Sequence, residues 1–148
     1  MILYLDTSAL IKLYVSEDGT DSVRDAVKLA SVVAASRISY VEARAALARA
    51  QRESRIGEQD LGHAVAVLKE DWKRFLVLEV TADLVRRAGD LAEEYALRAY
   101  DALQLASVLI LKDGIGAEVS FLSFDENLSQ AAQSAGLVIP PSRKKGDR

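Results

Sequence analysis

Four acidic side chains stand where predicted strands pass into helices or in the first turns of those helices: Asp6, Glu42, Asp101 and Asp125. Carboxylate oxygens are hard ligands, which Mg²⁺ and Mn²⁺ prefer. Acids at such junctions also cap helices by accepting hydrogen bonds from backbone N–H groups. Each acid, taken singly, fits a structural role, so the functional interpretation depends on the joint placement of all four.

Two of the acids lie in segments that resemble capping boxes, in which a Ser side chain and a Glu three residues later each bond the other's backbone. One segment runs from Ser39 to Glu42, which predicts that Glu42 lies in the first turn of a helix. The other runs from Ser123 to Glu126 and encloses Asp125. For Glu42, helix capping and metal binding both remain open at this point.

The other two acids have structural alternatives as well. Asp6 directly follows the apolar run Ile-Leu-Tyr-Leu and is placed to cap the next helix. Asp101 opens a helix of small and apolar residues, where an unpaired buried charge is costly, so a cap or an ion pair with Arg98 is its structural role. Gln104, one turn later, is a candidate to support a metal-bound water.

The elements that position these acids alternate between strands and helices. Short apolar runs predict strands at 2–5, 31–36, 75–80, 117–123 and 137–139. Helical periodicity, capping residues and glycines predict helices at about 8–15, 20–30, 39–55, 58–74, 81–97, 100–112 and 126–136. This alternation predicts an α/β fold with a largely parallel sheet. Ligands of such sheets bind beyond the carboxyl ends of the strands, so acids there face a candidate site.

Composition narrows the possible functions. The chain has 148 residues, half of them hydrophobic, which predicts one domain over residues 1–139 and a basic, disordered tail at 140–148. The absence of cysteine excludes disulfides, thiolate metal sites and a cysteine nucleophile. The one histidine, His63, lies in a helical context and is expected to be structural or at the surface. With no apolar run long enough to span a membrane and no signal peptide, we expect a cytoplasmic protein.

Four motifs together resemble the PIN (PilT N-terminus) domain family: DTSAL at 6–10, ISYVEARAAL at 38–47, RAYDALQLA at 98–106 and SFDENL at 123–128. They occur in the family's order, and the resemblance extends over about residues 1–139. The third motif followed by the fourth is its most specific part.

The resemblance implies a three-layer α/β/α fold with a mostly parallel central sheet and ribonuclease activity with one or two Mg²⁺ or Mn²⁺ ions. It assigns both the catalytic and the metal-binding positions to the same acids: Asp6, Glu42, Asp101 and Asp125. It assigns supporting hydroxyl groups to Thr7, Ser8 and Ser123. Ser123 stands where many relatives carry Thr, and a role for Asn127 stays open.

Many small bacterial members of this family are VapC-type toxins. The resemblance therefore implies an endoribonuclease of a type II toxin–antitoxin pair, with RNA as substrate, a small antitoxin as partner, and a homodimer. Basic side chains near the first two acids are candidates to bind phosphates: Lys12, Arg37, Arg44, Arg49, Arg52 and Arg55. Three of them, Arg44, Arg52 and Arg55, fit the solvated face of their helix equally well. Few aromatic residues accompany them, so base stacking is not expected to be the main means of recognition.

Two alternatives remain from the sequence. Another magnesium-dependent phosphohydrolase would also place an acid after the first strand, but the haloacid dehalogenase pattern Asp-x-Asp is Asp-Thr-Ser here, at 6–8. The second alternative is a non-catalytic PIN-like module that binds RNA or protein and uses the acids as caps. The presence of all four acids argues against this second reading.

Overall fold

The structure, a computed structural model, describes residues 1–140. It contains one parallel sheet with the strand order β3-β2-β1-β4. The strands are β1 (Ile2–Leu5), β2 (Val32–Ser36), β3 (Leu76–Leu78) and β4 (Val119–Leu122). In the central part of the sheet, Ile2 is in register with Val32 on one side and with Val119 on the other. The predicted tail lies outside the described residues, apart from Pro140.

Helices connect the strands and cover the sheet. They are α1 (Thr7–Leu10), α2 (Thr20–Leu29), α3 (Arg37–Arg52), α4 (Glu58–Trp72), α5 (Ala82–Tyr95), α6 (Ala99–Ile115) and α7 (Glu126–Ser134). Helix α5 starts as predicted, because the Thr81 hydroxyl accepts a hydrogen bond from the backbone N–H of Leu84 at 3.2 Å. Within residues 1–140, no helix combines the length and the apolar character that a membrane crossing requires.

The alternation of side chains along β1 divides the core into two halves. Tyr4 is buried against residues of α5, α6 and α7 on one face of the sheet. Leu3 and Leu5 are buried on the other face, against residues of α1, α2, α3 and α4. Because side chains of a strand point alternately to opposite faces, a buried run such as 2–5 requires helices on both sides. The predicted three-layer α/β/α fold is confirmed.

The strand order creates a crevice beside β1. The chain passes from β1 outward to β2 and β3, and then returns to the other side of β1 to form β4. The connections therefore leave in opposite directions at β1 and β4, and such a switch point is where open α/β sheets bind ligands. Just beyond β1, the backbone N–H of Asp6 donates to the carbonyl of Leu122 at 3.2 Å, which holds the two strand ends together.

The largest differences between prediction and structure concern two elements. The helix predicted at 8–15 is shorter, because α1 is followed by a 3-10 helix (Ile11–Leu13). The Thr20 hydroxyl donates to the carbonyls of Lys12 and Val15, at 3.0 and 3.3 Å, so the chain turns there. The strand predicted at 137–139 is wrong: only Val138 bridges to Ser120. Pro140 and Pro141 follow at once, and proline has no N–H with which to extend a ladder.

We expect the core beneath α3 to be sensitive to cavities, because Leu47 on this helix is fully buried. Leu47→Ala should lower the free energy of unfolding by about 2–5 kcal/mol, measured by urea denaturation. Val41→Ala is the matched control on the same helix, since Val41 is 61% exposed, and its effect should stay within about 0.5 kcal/mol. Equal losses for both variants would contradict this packing.

Candidate active site

Asp6 is held at the carboxyl end of β1 by three hydrogen bonds. Its Oδ1 accepts from the Ser8 hydroxyl at 2.7 Å and from the backbone N–H of Ala9 at 2.9 Å, and its Oδ2 accepts from the Ser123 hydroxyl at 2.6 Å. The residue is only 4% exposed. Burial raises the pKa of Asp6 to about 6; the hydrogen bonds oppose this rise, and the negative charge of Asp101 adds to it. Asp6 is therefore both the cap of α1 and a buried acid.

Asp101 lies in the first turn of α6, two residues after the helix begins at Ala99. It is half-buried, and this burial raises its pKa, with a further rise from the negative charge of Asp125 and an opposing effect of Arg98. In the part of the chain that the structure describes, Asp101 neither caps a helix nor forms an ion pair. The structural role that the sequence suggested for this acid is therefore not realised.

The helix that carries Glu42 begins earlier than predicted. Ser36, the last residue of β2, is the N-cap of α3, and its hydroxyl accepts from the backbone N–H of Ile38 at 3.3 Å. Glu42 is thus the sixth residue of α3 rather than a first-turn residue, and the capping box predicted at Ser39 is wrong. Because β2 passes into α3 without a loop, both Ser36 and Ser39 are possible caps. The sequence pattern favoured Ser39, whereas the structure uses Ser36.

A buried chain of polar groups orients Glu42. The Thr7 hydroxyl donates to Oε1 of Glu42 at 2.8 Å. The Tyr4 hydroxyl donates to Oε1 of Gln104 at 2.7 Å, and the amide nitrogen of Gln104 donates to the Ser39 hydroxyl at 2.9 Å and lies 3.4 Å from Oε1 of Glu42. Gln104 is 3% exposed, and both ends of its amide have protein partners. Gln104 therefore lies in the core beneath the acids. The suggested role of Gln104 as a support for a metal-bound water in the crevice is not favoured.

Sequence reasoning missed Tyr4 and Ser39, although weak signals existed. A tyrosine within a strand that is buried on both faces needs a partner for its hydroxyl group. A glutamine in the apolar helix α6 needs partners for both ends of its amide. The sequence alone could not pair Tyr4 with Gln104, since 100 residues separate them.

Asp125 is the N-cap of α7. Its Oδ1 accepts from the backbone N–H of Leu128 at 2.8 Å, and its side chain is exposed. The helix starts at Glu126 as predicted, but the capping box predicted from Ser123 to Glu126 is wrong, because the cap is Asp125 and not Ser123. The Ser123 hydroxyl instead donates to Asp6 and accepts from the backbone N–H of Asp125 at 3.0 Å, so it joins two of the acids.

Electrostatic effects link the four acids. The charge of Asp101 raises the pKa of Asp6, and the charge of Asp125 raises that of Asp101. The pKa of Tyr4 is raised mainly by complete burial, and the charges of Asp6 and Glu42 add to the rise. The charges of Asp6, Asp101 and Asp125 are therefore linked in series, and Glu42 shares with Asp6 an effect on Tyr4.

The donor groups of this site are carboxylate and hydroxyl oxygens, which fit a hard divalent cation. Among residues 1–140, no group of three or more Asp, Glu or His side chains is arranged so that it could hold a metal ion by itself. Mg²⁺ usually keeps several waters and binds through one or two carboxylates, so an open cluster of this kind suits it. The residues present fit such an ion without a closed cage.

The basic residues are distributed differently from the prediction. Arg52 lies ten residues beyond Glu42 on α3, a rise of about 15 Å along the helix axis. Most of the others have protein partners: Lys12 pairs with Glu17, Arg37 with Glu79, Arg49 and Arg55 with Glu53, and Arg44 donates to the Tyr40 hydroxyl. Arg37 directly follows β2, and Lys12 lies in the 3-10 helix that follows α1. His63 is exposed, as expected.

Comparison with known proteins agrees with this geometry. The family model described as the PIN domain matches residues 3–133. Ribonuclease VapC45 of Mycobacterium tuberculosis is 34% identical over 143 residues, which cover 96% of this chain and 96% of that protein.

Solved structures share the fold. The structure of VapC20 from Mycobacterium tuberculosis, described as a sarcin-ricin loop cleaving toxin, has a TM-score of 0.63 at 22% identity and covers 92% of this chain and 96% of its own. A toxin–antitoxin complex from Klebsiella pneumoniae has a TM-score of 0.64 at 19% identity, covering 96% and 99%. With the family model, the curated relative and the acids at the strand ends in agreement, this chain belongs to the PIN domain family.

Proposed function

We propose that this chain is an endoribonuclease that requires Mg²⁺ or Mn²⁺, hydrolyses RNA phosphodiester bonds, and acts as the toxin of a type II toxin–antitoxin pair. The observation that carries the proposal is Asp101, a half-buried acid with a raised pKa and, among the described residues, neither a cap nor an ion pair. Its negative charge adds to the rise in the pKa of Asp6, which directly follows β1 at the switch point of the sheet. Perturbed acids that gather in a crevice are typical of functional sites.

Asp6, Asp101 and Glu42 would hold the cation directly or through water, and Asp125 would act through water because its Oδ1 is already engaged as a cap. When bound, a divalent cation lowers the pKa of a water molecule and neutralises charge on the phosphodiester. The chain itself supplies orientation. Ser8 and Ser123 fix both oxygens of Asp6, and Thr7 fixes one oxygen of Glu42.

Two of the acids hold protons that a cation would displace. Asp6 and Asp101 hold protons more tightly than ordinary carboxyl groups do, because they are buried and lie close to other acids. Carboxylates must be deprotonated to bind a metal, so cation binding is coupled to proton release at neutral and mildly acidic pH.

The toxin role and the partners are inferred from relatives. VapC20 is described as a sarcin-ricin loop cleaving toxin, and the Klebsiella pneumoniae structure is a toxin–antitoxin complex. By analogy, a small antitoxin would bind this chain, insert a basic side chain among the acids and block RNA, and two copies of the chain would form a homodimer. A non-catalytic module is disfavoured, because within residues 1–140 Asp101 has neither a capping hydrogen bond nor an ion pair.

Asp6→Asn and Asp101→Asn should each reduce RNA cleavage more than about 100-fold, beyond the loss typical of outer-shell partners of a metal. Each substitution removes a negative ligand while keeping the shape of the side chain. The assay follows a single-stranded RNA with Mg²⁺ or Mn²⁺, and EDTA should stop it. Asp90→Asn, at an exposed position on α5, is the control and should keep full activity. Full activity of wild type in EDTA would contradict metal dependence.

Ser123→Ala should lower kcat about 10- to 100-fold, because it removes the 2.6 Å hydrogen bond that orients Asp6. Ser123→Thr retains a hydroxyl and should keep most of the activity. Steady-state kinetics of the two variants at saturating Mg²⁺ make the comparison. If both variants lose activity equally, packing around Ser123 matters and the hydroxyl does not.

The metal-free protein should become less stable as pH rises from about 4 to 7, relative to Asp6→Asn. The pKa of Asp6 is raised from 3.8 to about 6, so between these values the folded state binds more protons than the unfolded state. Ionisation of Asp6 at higher pH therefore favours unfolding. The stability difference between variant and wild type should shift by up to about 3 kcal/mol across this range. Urea denaturation in EDTA measures it, and a constant difference would mean that Asp6 titrates normally.

A further inference from the structure

Phe124 is an exposed aromatic side chain at the rim of the acid cluster. It stands between Ser123 and Asp125 in the sequence, and it is 40% exposed. Its backbone N–H donates to the Ser8 hydroxyl at 2.9 Å, and that hydroxyl donates to Asp6. The backbone of Phe124 is thus joined through one side chain to the most buried acid of the site.

The ring of Phe124 is held in place from the side of Gly19 and Lys12. A Cβ atom at Gly19 would lie 2.5 Å from Cε1 of Phe124, so only glycine permits this approach. Gly19 also has a φ of +92°, which side chains other than glycine rarely adopt. The ammonium of Lys12 lies 4.5 Å from the ring centroid, within the range of a cation–π interaction, and is itself held by Glu17 at 2.9 Å.

An exposed phenylalanine alone needs no explanation, because single apolar residues are common on protein surfaces. This ring differs because it is fixed in place while a large part of it stays open to solvent. A ring that is already immobilised loses little conformational entropy on binding. Every nucleobase has a flat face that can stack on such a ring, whatever its sequence.

We propose that Phe124 is a stacking platform for one nucleobase of the RNA strand, at a nucleotide next to the phosphodiester that is cleaved. The proposal rests on the proposed ribonuclease function and adds a substrate subsite to it. Phe124 belongs to the loop that joins β4 to α7, the same loop that supplies Ser123 and Asp125. A base stacked there would place its own phosphates close to the acids. A single stacked base is in line with the low aromatic content of the chain. Contacts to the RNA phosphates would supply the rest of the binding.

The test compares bases and side chains in pairs. Wild type and Phe124→Leu are assayed on a short single-stranded RNA that wild type cleaves at a mapped bond, and on versions with one abasic nucleotide at each flanking position. For wild type, kcat/KM should fall about 5- to 100-fold at one abasic position, the range expected for a lost stacked base. Phe124→Leu should show a loss of the same size on intact RNA, mostly through KM, and no further loss at that abasic position.

Phe124→Tyr is the matched control, because it keeps the aromatic ring, and it should stay within about threefold of wild type. If Phe124→Tyr falls as far as Phe124→Leu, or if Phe124→Leu still discriminates the abasic position, the platform is refuted. Melting temperatures of both variants exclude loss of folding as the cause. Should Phe124→Leu fail to fold, the absence of any abasic effect in wild type would still overturn the proposal.

A binding measurement separates this proposal from the proposed function. Fluorescence anisotropy of a labelled RNA in Mg²⁺ compares Asp101→Asn with Asp101→Asn/Phe124→Leu, and the second variant should bind about 5- to 100-fold more weakly. Cleavage by wild type with no effect of Phe124→Leu refutes the platform and leaves the nuclease. Weaker RNA binding without any cleavage by wild type refutes the nuclease and supports the platform. Loss of both effects refutes both.

Discussion

The burial of the Asp6 carboxylate is the constraint on which the rest of the site depends. Removing a carboxylate from water is costly unless hydrogen bonds compensate. Here Ser8, Ala9 and Ser123 supply them, and yet the pKa of Asp6 is still raised, so the compensation is incomplete. Because the buried negative charge of Asp6 is incompletely compensated, a nearby positive charge would stabilise its ionised form. The ends of β1 and β4 together hold the Asp6 carboxylate in its buried position.

The parallel sheet makes this burial possible. Since β1 lies between β2 and β4, its carboxyl end is flanked by two other strand ends. Ser123 comes from the end of β4, and the segment that follows β1 contributes Ser8. On the opposite side, α6 brings Asp101 to the crevice and sends Gln104 into the core, where it meets Tyr4. Helix α6 thus supplies both Asp101 and the Gln104 amide, which supports Glu42 on α3.

Local patterns in the sequence predict much of this arrangement, and the errors have a common physical origin. The strands, the order of helices and the placement of Asp6 and Asp101 follow from short-range features: apolar runs, turn residues and breaks in periodicity. The helix start near Glu42 and the capping box at Ser123 were wrong because neighbouring serine and acidic residues are equivalent as caps until tertiary contacts select one. The Tyr4–Gln104 pair and the Phe124–Gly19 contact join residues far apart in the chain, so no local pattern contains them.

We propose that the acids at the switch point hold a divalent cation with which this chain cuts RNA. Crystals of the protein soaked in Mn²⁺ test this proposal most directly, because the anomalous scattering of manganese gives the position of the ion itself. We expect an anomalous peak within coordination distance, about 2 Å, of an oxygen of Asp6 or Asp101 or of a water bound to them. A manganese-free cluster in a protein that still cleaves RNA would contradict the account.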